Sequence, residues 1–423
     1  MDPFKLKEEH TLITCINKGG LMTVTILRDL LGLLFFANFV LAGCAISSTK
    51  QLVEPGLISN EKIILGEQIS FYSKTLNETR SYLIHLPKSY NDESIFPKKY
   101  PVLYVLDGES HFEYASGISD FMGSSGITNN YQIPELIVVA IPNKDPGKDN
   151  RFRDYSPTLV RDYYEGSGGG DLFRKLLSEE IIPHIESNYR TIPLRVLAGH
   201  SMGGLLAVYD LLGQEPICNA YIAMDPSLWW DNQLMFAKAQ ELKGGTLRSH
   251  LYLSTYDNAQ RKEESREFVA TLTKKNPAPF RSKFQVFESE GHGSLPIVSL
   301  YNGLRFIFDG FRPDLNNLVE DPSAIGRHFR KFSKTLGVDI LPPEDLISSV
   351  CNETVKENPD KAIACFQVNV LNYPESYNAQ NALANAYAKK GRVQEAIQSY
   401  RKSLELKSNN VGAVNGLSKL NEK

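Results

Sequence analysis

Cysteine, tryptophan and an excess of either charge are what this sequence has least of. Its 423 residues include five cysteines and two tryptophans, and 46 lysines and arginines stand against 49 aspartates and glutamates. Five cysteines without a CxxC pair do not form a disulfide scaffold and do not indicate structural zinc. Nucleic-acid binding has no support, because proteins that bind DNA or RNA usually carry a basic excess. The length allows about three domains, and 42% hydrophobic residues exclude wholesale disorder.

Long hydrophobic runs are also scarce, and the one at 30–43 is too short for a bilayer core, which needs about 20 apolar residues. It is typical of the apolar region of a secretory signal. The run ends in LAGC at 41–44, which resembles the lipobox of bacterial lipoproteins. We therefore expect residues 1–43 to be a leader, Met22 to be the natural initiator and Cys44 to be lipidated. The alternative is an ordinary signal followed by a chance cysteine.

This interpretation predicts an exported, lipid-anchored protein that faces the periplasm or the cell surface. Residues 44–57 would form a linker behind the anchor. The compartment would be oxidising, so a disulfide between Cys351 and Cys365 is conceivable, although we expect buried free thiols there.

The end of the chain repeats at the tetratricopeptide period of about 34 residues. At that shift Ala362 aligns with Ala396, and a complete repeat unit covers about 378–408. This pattern predicts a small all-α domain over 341–423. Fewer than three full repeats rarely stand alone, so we expect this region to pack on the preceding domain or to bind a second copy or a protein partner.

The middle of the chain, 58–315, alternates short apolar strands with helical patterns, and a helical segment at 316–340 connects it to the repeats. Unbroken apolar strands are typical of a mostly parallel sheet that is covered by helices on both faces. The pattern predicts one α/β domain. The predicted strands are 80–86, 102–106, 136–141, 195–198, 220–224, 250–254 and 283–287.

The strongest chemical signal is GHSMGG at 199–204, between a predicted strand and a predicted helix. A G-x-S-x-G sequence in this context is the nucleophile elbow of α/β hydrolases. The glycines on either side of Ser201 let the backbone close a sharp turn, and the helix N-terminus offers N–H groups to a developing oxyanion. The alternative is a purely structural glycine-rich turn.

A serine nucleophile needs a base and an orienting acid, in the chain order Ser, Asp or Glu, His for this fold. His292 lies in a loop after the last strand, where the base is expected, whereas the other two downstream histidines open a strand or lie beyond the domain. We expect Asp257, after the strand at 250–254, to be the acid. Asp225 is the rival, and Glu263 and Glu264 are more remote.

The oxyanion donors should be backbone N–H groups. Met202, which follows the nucleophile, is expected to supply one. The loop after the strand at 102–106 should supply the other, from Glu109 or from Gly108.

These segments resemble the esterase D / ferric-enterobactin esterase family of α/β hydrolases. The resemblance covers about 250 residues of the middle domain and rests on LYVLDGESHF, RFRDYSPT, IIPHIESNYRT, GHSMGG, DPSLWW and EGHGS, which occur in that order. It implies an α/β-hydrolase fold and serine ester hydrolysis by Ser201 and His292 without metal or cofactor. In the family the segment at 225–230 more often begins with serine, which argues against Asp225 as the acid.

The substrate side of the pocket is expected to include Trp229, Trp230, Arg153 and Tyr155. Aromatic rings and an arginine suit a flat aromatic or anionic acyl group, such as a siderophore catecholate ester, although the tryptophans could equally serve packing. A carbohydrate acetyl or feruloyl esterase is the alternative enzyme. A non-catalytic lipoprotein scaffold, which recruits partners through the repeats, is the alternative class.

Overall fold

The structure is a computed structural model and describes residues 13–17, 20–24, 62–93, 95–123, 131–143, 150–162 and 164–422. The chain divides into two units, Met1–Lys62 and Ile63–Lys423. In the first, β1 (Ile13–Asn17) pairs antiparallel with β2 (Gly20–Val24). The apolar run at 30–43 and Cys44 lie outside the described residues, so cleavage and lipidation stay predictions.

The second unit is built on an eight-stranded sheet with the order β3-β4-β6-β5-β7-β8-β9-β10. The pairs β3–β4 and β4–β6 are antiparallel and the other pairs are parallel. Every residue of β5, β6 and β8 is buried, which explains their unbroken apolar sequences. The strands are β3 Glu67–Ser73, β4 Glu78–His85, β5 Tyr100–Leu106, β6 Ile137–Ile141, β7 Thr191–His200, β8 Ala220–Met224, β9 His250–Tyr256 and β10 Arg281–Phe287.

Helices cover both faces of this sheet and bury a separate apolar cluster on each. The predicted α/β layering is therefore confirmed, although edge strand β3 and helix α1 were not predicted. The helices of this part are α1 Gly108–Gly123, α2 Asn150–Tyr155, α3 Gly170–Leu176, α4 Ile182–Asn188, α5 Met202–Leu211, α6 Trp230–Glu241, α7 Ala259–Lys275 and α8 Leu295–Ile307. A 3₁₀ turn (Lys88–Asn91) precedes β5, and a π-helical segment (Leu177–Ile181) joins α3 to α4.

Three neighbouring strands end in the same unusual way. Asp107 follows β5, Ser201 follows β7 and Asp225 follows β8, with φ angles of 55°, 56° and 43°. Non-glycine residues rarely adopt such angles, and each costs on the order of 1–3 kcal/mol unless its surroundings impose it. Because these strands are parallel neighbours, the three residues meet at the carboxyl edge of the sheet, where α/β proteins bind their ligands.

The C-terminal region is entirely helical in the part that the structure describes. Helices α9 and α10 lead from the sheet to two antiparallel helix pairs and a final helix. Side chains of Asn358, Ser376 and Asn410 cap the N-termini of α12, α13 and α15. The helices are α9 Leu315–Glu320, α10 Ala324–Leu336, α11 Glu344–Glu357, α12 Pro359–Asn372, α13 Tyr377–Lys389, α14 Val393–Leu406 and α15 Val411–Asn421.

This helical region packs on the α/β part of the same unit, which is one of the two arrangements expected from the small number of repeats. Tyr131 Oη donates to Asp345 Oδ2 at 2.5 Å, and the rings of Phe96 and Tyr373 meet edge to face at 6.3 Å. Apolar residues of α10–α15 continue the buried cluster that lies beneath α1 and α8. The repeats thus share a core with the α/β part.

Cys351 and Cys365 form a disulfide that joins α11 to α12. Our expectation of free thiols there was wrong. The two cysteines face each other because consecutive antiparallel helices bring their buried faces together, which their spacing alone did not decide. Among the described residues Cys218 is the free cysteine, and it is buried.

Candidate functional site

Ser201 occupies the predicted turn between β7 and α5. Its φ and ψ angles are 56° and −111°, and its N–H donates to Met224 O at 2.9 Å. A Cβ atom at Gly199 would lie 2.2 Å from Gly203 O, so only glycine fits there. The turn therefore has the strained, glycine-lined geometry of a nucleophile elbow.

His292 and Asp225 are paired at this edge. The Nδ1 of His292 lies 2.5 Å from Oδ2 of Asp225, so the ring N–H donates to the carboxylate. The Asp225 side chain is 1% exposed, whereas that of His292 is 43% exposed and accessible to a ligand. This pairing orients the ring and leaves its Nε2 unprotonated in the neutral imidazole.

Several groups keep Asp225 ionised despite its burial. Burial by itself raises the pKa of this carboxyl, but hydrogen bonds from His292 and Thr255 and the nearby Arg261 guanidinium hold it below its usual value. Thr255 Oγ1 donates at 2.6 Å and Arg261 Nη1 lies 3.4 Å away. The result is a buried negative charge directed at the imidazole.

The structure contradicts Asp257 as the partner of His292. Asp257 lies in the turn after β9, its side chain is 48% exposed, and its carboxylate contacts Lys262 Nζ at 2.6 Å. Asp225, which follows the strand next to β7, is in the position to orient the ring. The preference for serine in related sequences misled the choice, because the geometry here depends on what ends β8 in this chain.

The ring of His292 also contacts that of His200, the residue immediately before Ser201. Their ring centroids are 4.4 Å apart with the planes tilted by 42°, and the ring of His111 lies 6.1 Å from that of His200. Burial, reinforced by the neighbouring His292 and His111, lowers the pKa of His200 to about 4. Through this contact the His200 ring, which is uncharged at neutral pH, brings the loop of His292 beside the turn of Ser201.

Two helices begin at the carboxyl edge of the sheet, directly after Ser201 and Asp107. Helix α5 begins at Met202 and α1 begins at Gly108, and the first N–H groups of a helix have no partner within it. A Cβ at Gly108 would lie 2.8 Å from the Ile141 and Pro142 nitrogens, so glycine is required where β6 passes. The Glu109 carboxylate is occupied by the Asn143 amide, which leaves its backbone N–H as the group of interest.

Three of the four predicted substrate residues are engaged elsewhere. Trp230 is 0% exposed and its indole N–H donates to Thr158, and Tyr155 is 1% exposed with its hydroxyl bound to the Asp107 N–H. Arg153 forms ion pairs with Glu78 and Asp154. The expectation that these three line the pocket was wrong, because a sequence does not show which side of a loop faces the sheet.

Trp229 differs from its neighbour, because its side chain is only partly buried beside the apolar cluster. Its ring lies 5.8 Å from that of Trp230. It is the one predicted substrate residue that retains an accessible aromatic surface near this edge.

Sequence reasoning missed Asp107, Asn143 and Arg151. The positive φ of Asp107 is invisible in the sequence, and Arg151 was passed over for Arg153 within RFRDY. The signal that could have found Asp107 is its position, since it ends the buried strand that precedes the predicted oxyanion loop.

The described residues contain no group of three or more His, Cys, Asp or Glu side chains arranged to hold a metal ion. None of the helices in this part of the chain has the length and apolar character needed to cross a membrane.

This chain is similar to known esterases and to a known repeat family. Residues 73–292 match the family described as "Putative esterase", and residues 377–410 match the tetratricopeptide repeat. The ferri-bacillibactin esterase BesA of Bacillus subtilis is 28% identical over 288 residues, which span 62% of this chain and 96% of BesA. The siderophore triacetylfusarinine C esterase of Aspergillus fumigatus is 28% identical over 173 residues, which span 38% of this chain and 56% of that protein.

Two solved structures are also similar to this chain. The crystal structure of an IroE-like serine hydrolase from Shewanella oneidensis is 29% identical with a TM-score of 0.60, over 69% of this chain and 94% of that chain. The structure of the BES protein from Bacillus cereus is 25% identical with a TM-score of 0.51, over 60% and 98% of the two chains.

Proposed function

This chain belongs to the esterase family and is an esterase with an α/β-hydrolase fold, and from that premise we propose that it hydrolyses carboxylic esters through an acyl-enzyme on Ser201. His292 is the general base and Asp225 orients it. The observation that carries this assignment is the 2.5 Å contact between His292 Nδ1 and Asp225 at the edge where the strained Ser201 turn lies.

The reaction has two steps. His292 Nε2 takes the proton of the Ser201 hydroxyl as Oγ attacks the ester carbonyl, and returns it to the leaving alcohol. Water then attacks the acyl-enzyme with the same base and releases the acid. The buried Asp225 carboxylate stabilises the imidazolium that forms in each step.

The N–H groups of Met202 and of Gly108 or Glu109 hold the oxyanion. They belong to the first turns of α5 and α1, whose dipoles place partial positive charge at this edge. Such preorganised donors typically contribute a factor of about 10²–10³ each.

The substrate class that we propose is a siderophore ester. The support is that the relatives BesA and triacetylfusarinine C esterase carry siderophore substrates in their names, and that Tyr256 offers an aromatic ring close to His292. Tyr256 lies 6.2 Å from the His292 ring. Flat aromatic acyl groups pack favourably on such rings.

The decisive experiment compares Ser201→Ala with the wild type on p-nitrophenyl acetate. We expect turnover to fall by on the order of 10⁶, as in other serine triads, and labelling by a fluorophosphonate probe to disappear. The matched control is Ser178→Ala, a change at an exposed serine in the π-helical segment between α3 and α4. Hydrolysis that persists unchanged in Ser201→Ala refutes the proposal, and a wild type that neither turns over nor labels supports a non-catalytic scaffold.

A substrate panel tests the finer assignment. Purified protein is given trilactone siderophores, feruloyl sugars and short acyl esters at equal concentration. We expect the highest kcat/KM on the trilactone. A preference for the sugar esters by more than tenfold assigns the protein to the carbohydrate esterases.

We also propose that the protein is exported and anchored through Cys44. The Cys351–Cys365 disulfide supports this, since structural disulfides persist in oxidising compartments. Mass spectrometry of the mature N-terminus tests it, with a diacylated cysteine at position 44 as the expected result and an unmodified Cys44 as the contrary one.

A further inference from the structure

The two proposed oxyanion donors lie on different elements, and one side chain ties those elements together. Arg151 on α2 binds Asp107 with both arms of its guanidinium, from Nε to Oδ1 at 2.6 Å and from Nη2 to Oδ2 at 3.0 Å. The same Nη2 donates to the carbonyl oxygen of His200 at 2.8 Å. Asp107 precedes the donors of α1, and His200 precedes Ser201.

Asp107 needs such restraint. Its φ of 55° is sparsely populated for a residue with a side chain. Its N–H donates to Tyr155 Oη at 3.1 Å, and Asn143 Nδ2 donates to its carboxylate at 2.9 Å. These contacts come from the RFRDY segment at 151–155 and from Asn143, which follows β6. Residues outside α1 therefore hold Asp107, the residue that precedes Gly108.

The Arg151–Asp107 pair is protected from water. Their side chains are 27% and 7% exposed. Burial disfavours the charged guanidinium, but the Asp107 carboxylate outweighs this and raises the pKa of Arg151. A bidentate pair of this kind fixes both distance and orientation, which a lysine cannot do.

We propose that Arg151 is a positioning residue that sets the spacing between the two halves of the oxyanion hole. This inference rests on the proposed function. Donors must stay within about 0.5 Å of the productive geometry, and the Arg151 bridge is the described contact that joins the residue before the first donor to the residue before the nucleophile. Arg151 itself does not touch the substrate in this role.

The neighbouring Arg153 provides a matched comparison. It lies on the same helix and is also doubly paired, but its partners are Glu78 of β4 and Asp154 of α2. A change at Arg153 therefore removes a similar ion pair without touching Asp107 or His200.

The test measures kcat and KM on p-nitrophenyl acetate, a neutral ester, for Arg151→Lys, Arg151→Gln and Arg153→Lys. We expect kcat to fall about 10²-fold in both Arg151 variants, close to the loss of one oxyanion donor, with KM changed less than threefold. The affinity of a boronic acid, which mimics the tetrahedral intermediate, should fall in parallel with kcat. Arg153→Lys should keep kcat within threefold.

Two further measurements keep the result decisive. Addition of guanidinium at millimolar concentration should restore part of kcat in Arg151→Ala and none in Ser201→Ala. Asp107→Asn, which keeps the side-chain volume, should reproduce the loss of boronate affinity if an Arg151 variant does not fold.

The outcomes separate this inference from the function on which it rests. An Arg151→Gln variant with kcat within threefold of the wild type, or one in which KM alone rises, overturns the positioning role and in the second case assigns Arg151 to substrate binding. An inactive wild type, or an active Ser201→Ala, overturns the proposed function instead.

Discussion

The carboxyl edge of the sheet and the helical repeats differ in how their backbone uses positive φ angles. At the edge, Asp107, Ser201 and Asp225 all have positive φ angles directly after strands. In the repeats, among the described residues, the single positive φ belongs to Gly391, in the turn between α13 and α14. Three of the seven described non-glycine residues with positive φ therefore lie at this edge and none lies in the repeats; the others are Asn77 and residues 231–233.

The difference follows from what each region must do. A repeat is stabilised by regular packing, so every residue can take its preferred conformation. A nucleophile, its acid and its oxyanion loop must project toward one point, and parallel strands can deliver them there only by turning sharply at their ends. We expect changes at the edge to affect activity, and changes in the repeats to affect stability.

Among the changes that keep Ser201, the largest expected effect on activity is that of Asp225→Asn. An amide can donate to His292 Nδ1 and so favours the wrong imidazole tautomer, and kcat should fall by about 10⁴. Steady-state kinetics on p-nitrophenyl acetate measures this, with thermal unfolding to show that the fold persists. A fall in kcat of less than tenfold would mean that another residue is the acid and that the positive φ of Asp225 has another cause.

Removal of the Cys351–Cys365 disulfide should lower the stability and leave the activity nearly unchanged. The bridge closes a short loop, with a sequence separation of 14, so the Cys351→Ala/Cys365→Ala variant should lose about 3 kcal/mol in the free energy of unfolding. We expect kcat to remain within twofold of the wild type. Denaturant titration checks this, and the reduced wild type should match the double variant. A fall in kcat would show that the repeats contribute to the site.

Acid should destabilise the α/β part, because buried histidines there resist protonation. The repeats contain no histidine. Burial, and then Arg281, lowers the pKa of His250 to about 4, and His200 behaves similarly. The unfolded chain binds protons at these residues near pH 6.5. The stability they contribute is therefore present above about pH 6.5 and is lost as the pH falls toward 4, by up to about 1.4 kcal/mol per pH unit for each.

Thermal unfolding of His250→Gln between pH 7 and pH 5 measures this slope. We expect a shallower dependence than in the wild type, while the exposed control His184→Gln should retain the full slope. Equal slopes in all three proteins would place the acid sensitivity outside His250.

The smallest effect is expected from Asp257→Asn. Its exposed contact with Lys262 contributes about 0.2–1 kcal/mol at most, as surface ion pairs do. Activity on p-nitrophenyl acetate should stay within threefold of the wild type. A loss approaching that of Asp225→Asn would restore Asp257 as the acid and show that the pairing at His292 changes during the reaction.

The extent of prediction differed between elements for physical reasons. Strand β8 was predicted with its observed bounds, because a fully buried strand is an unbroken apolar run. Edge strand β3 was missed because most of its residues are exposed or partly exposed and its sequence has no such run. The turn at Ser201 and the loop of His292 were predicted where they are observed, because a glycine-lined turn and a loop after the last strand have local sequence signatures.

The sequence by itself determined the α/β alternation, the nucleophile turn and the repeat period, because each depends on neighbours along the chain. The tertiary structure decided that Asp225 and not Asp257 meets His292, that Arg153 pairs with Asp154 and Tyr155 with the Asp107 N–H, and that Cys351 meets Cys365. The sequence had left a disulfide between these two cysteines open and favoured free thiols. These outcomes depend on which strand ends and helix faces become neighbours in space, and spacing along the chain does not contain that information.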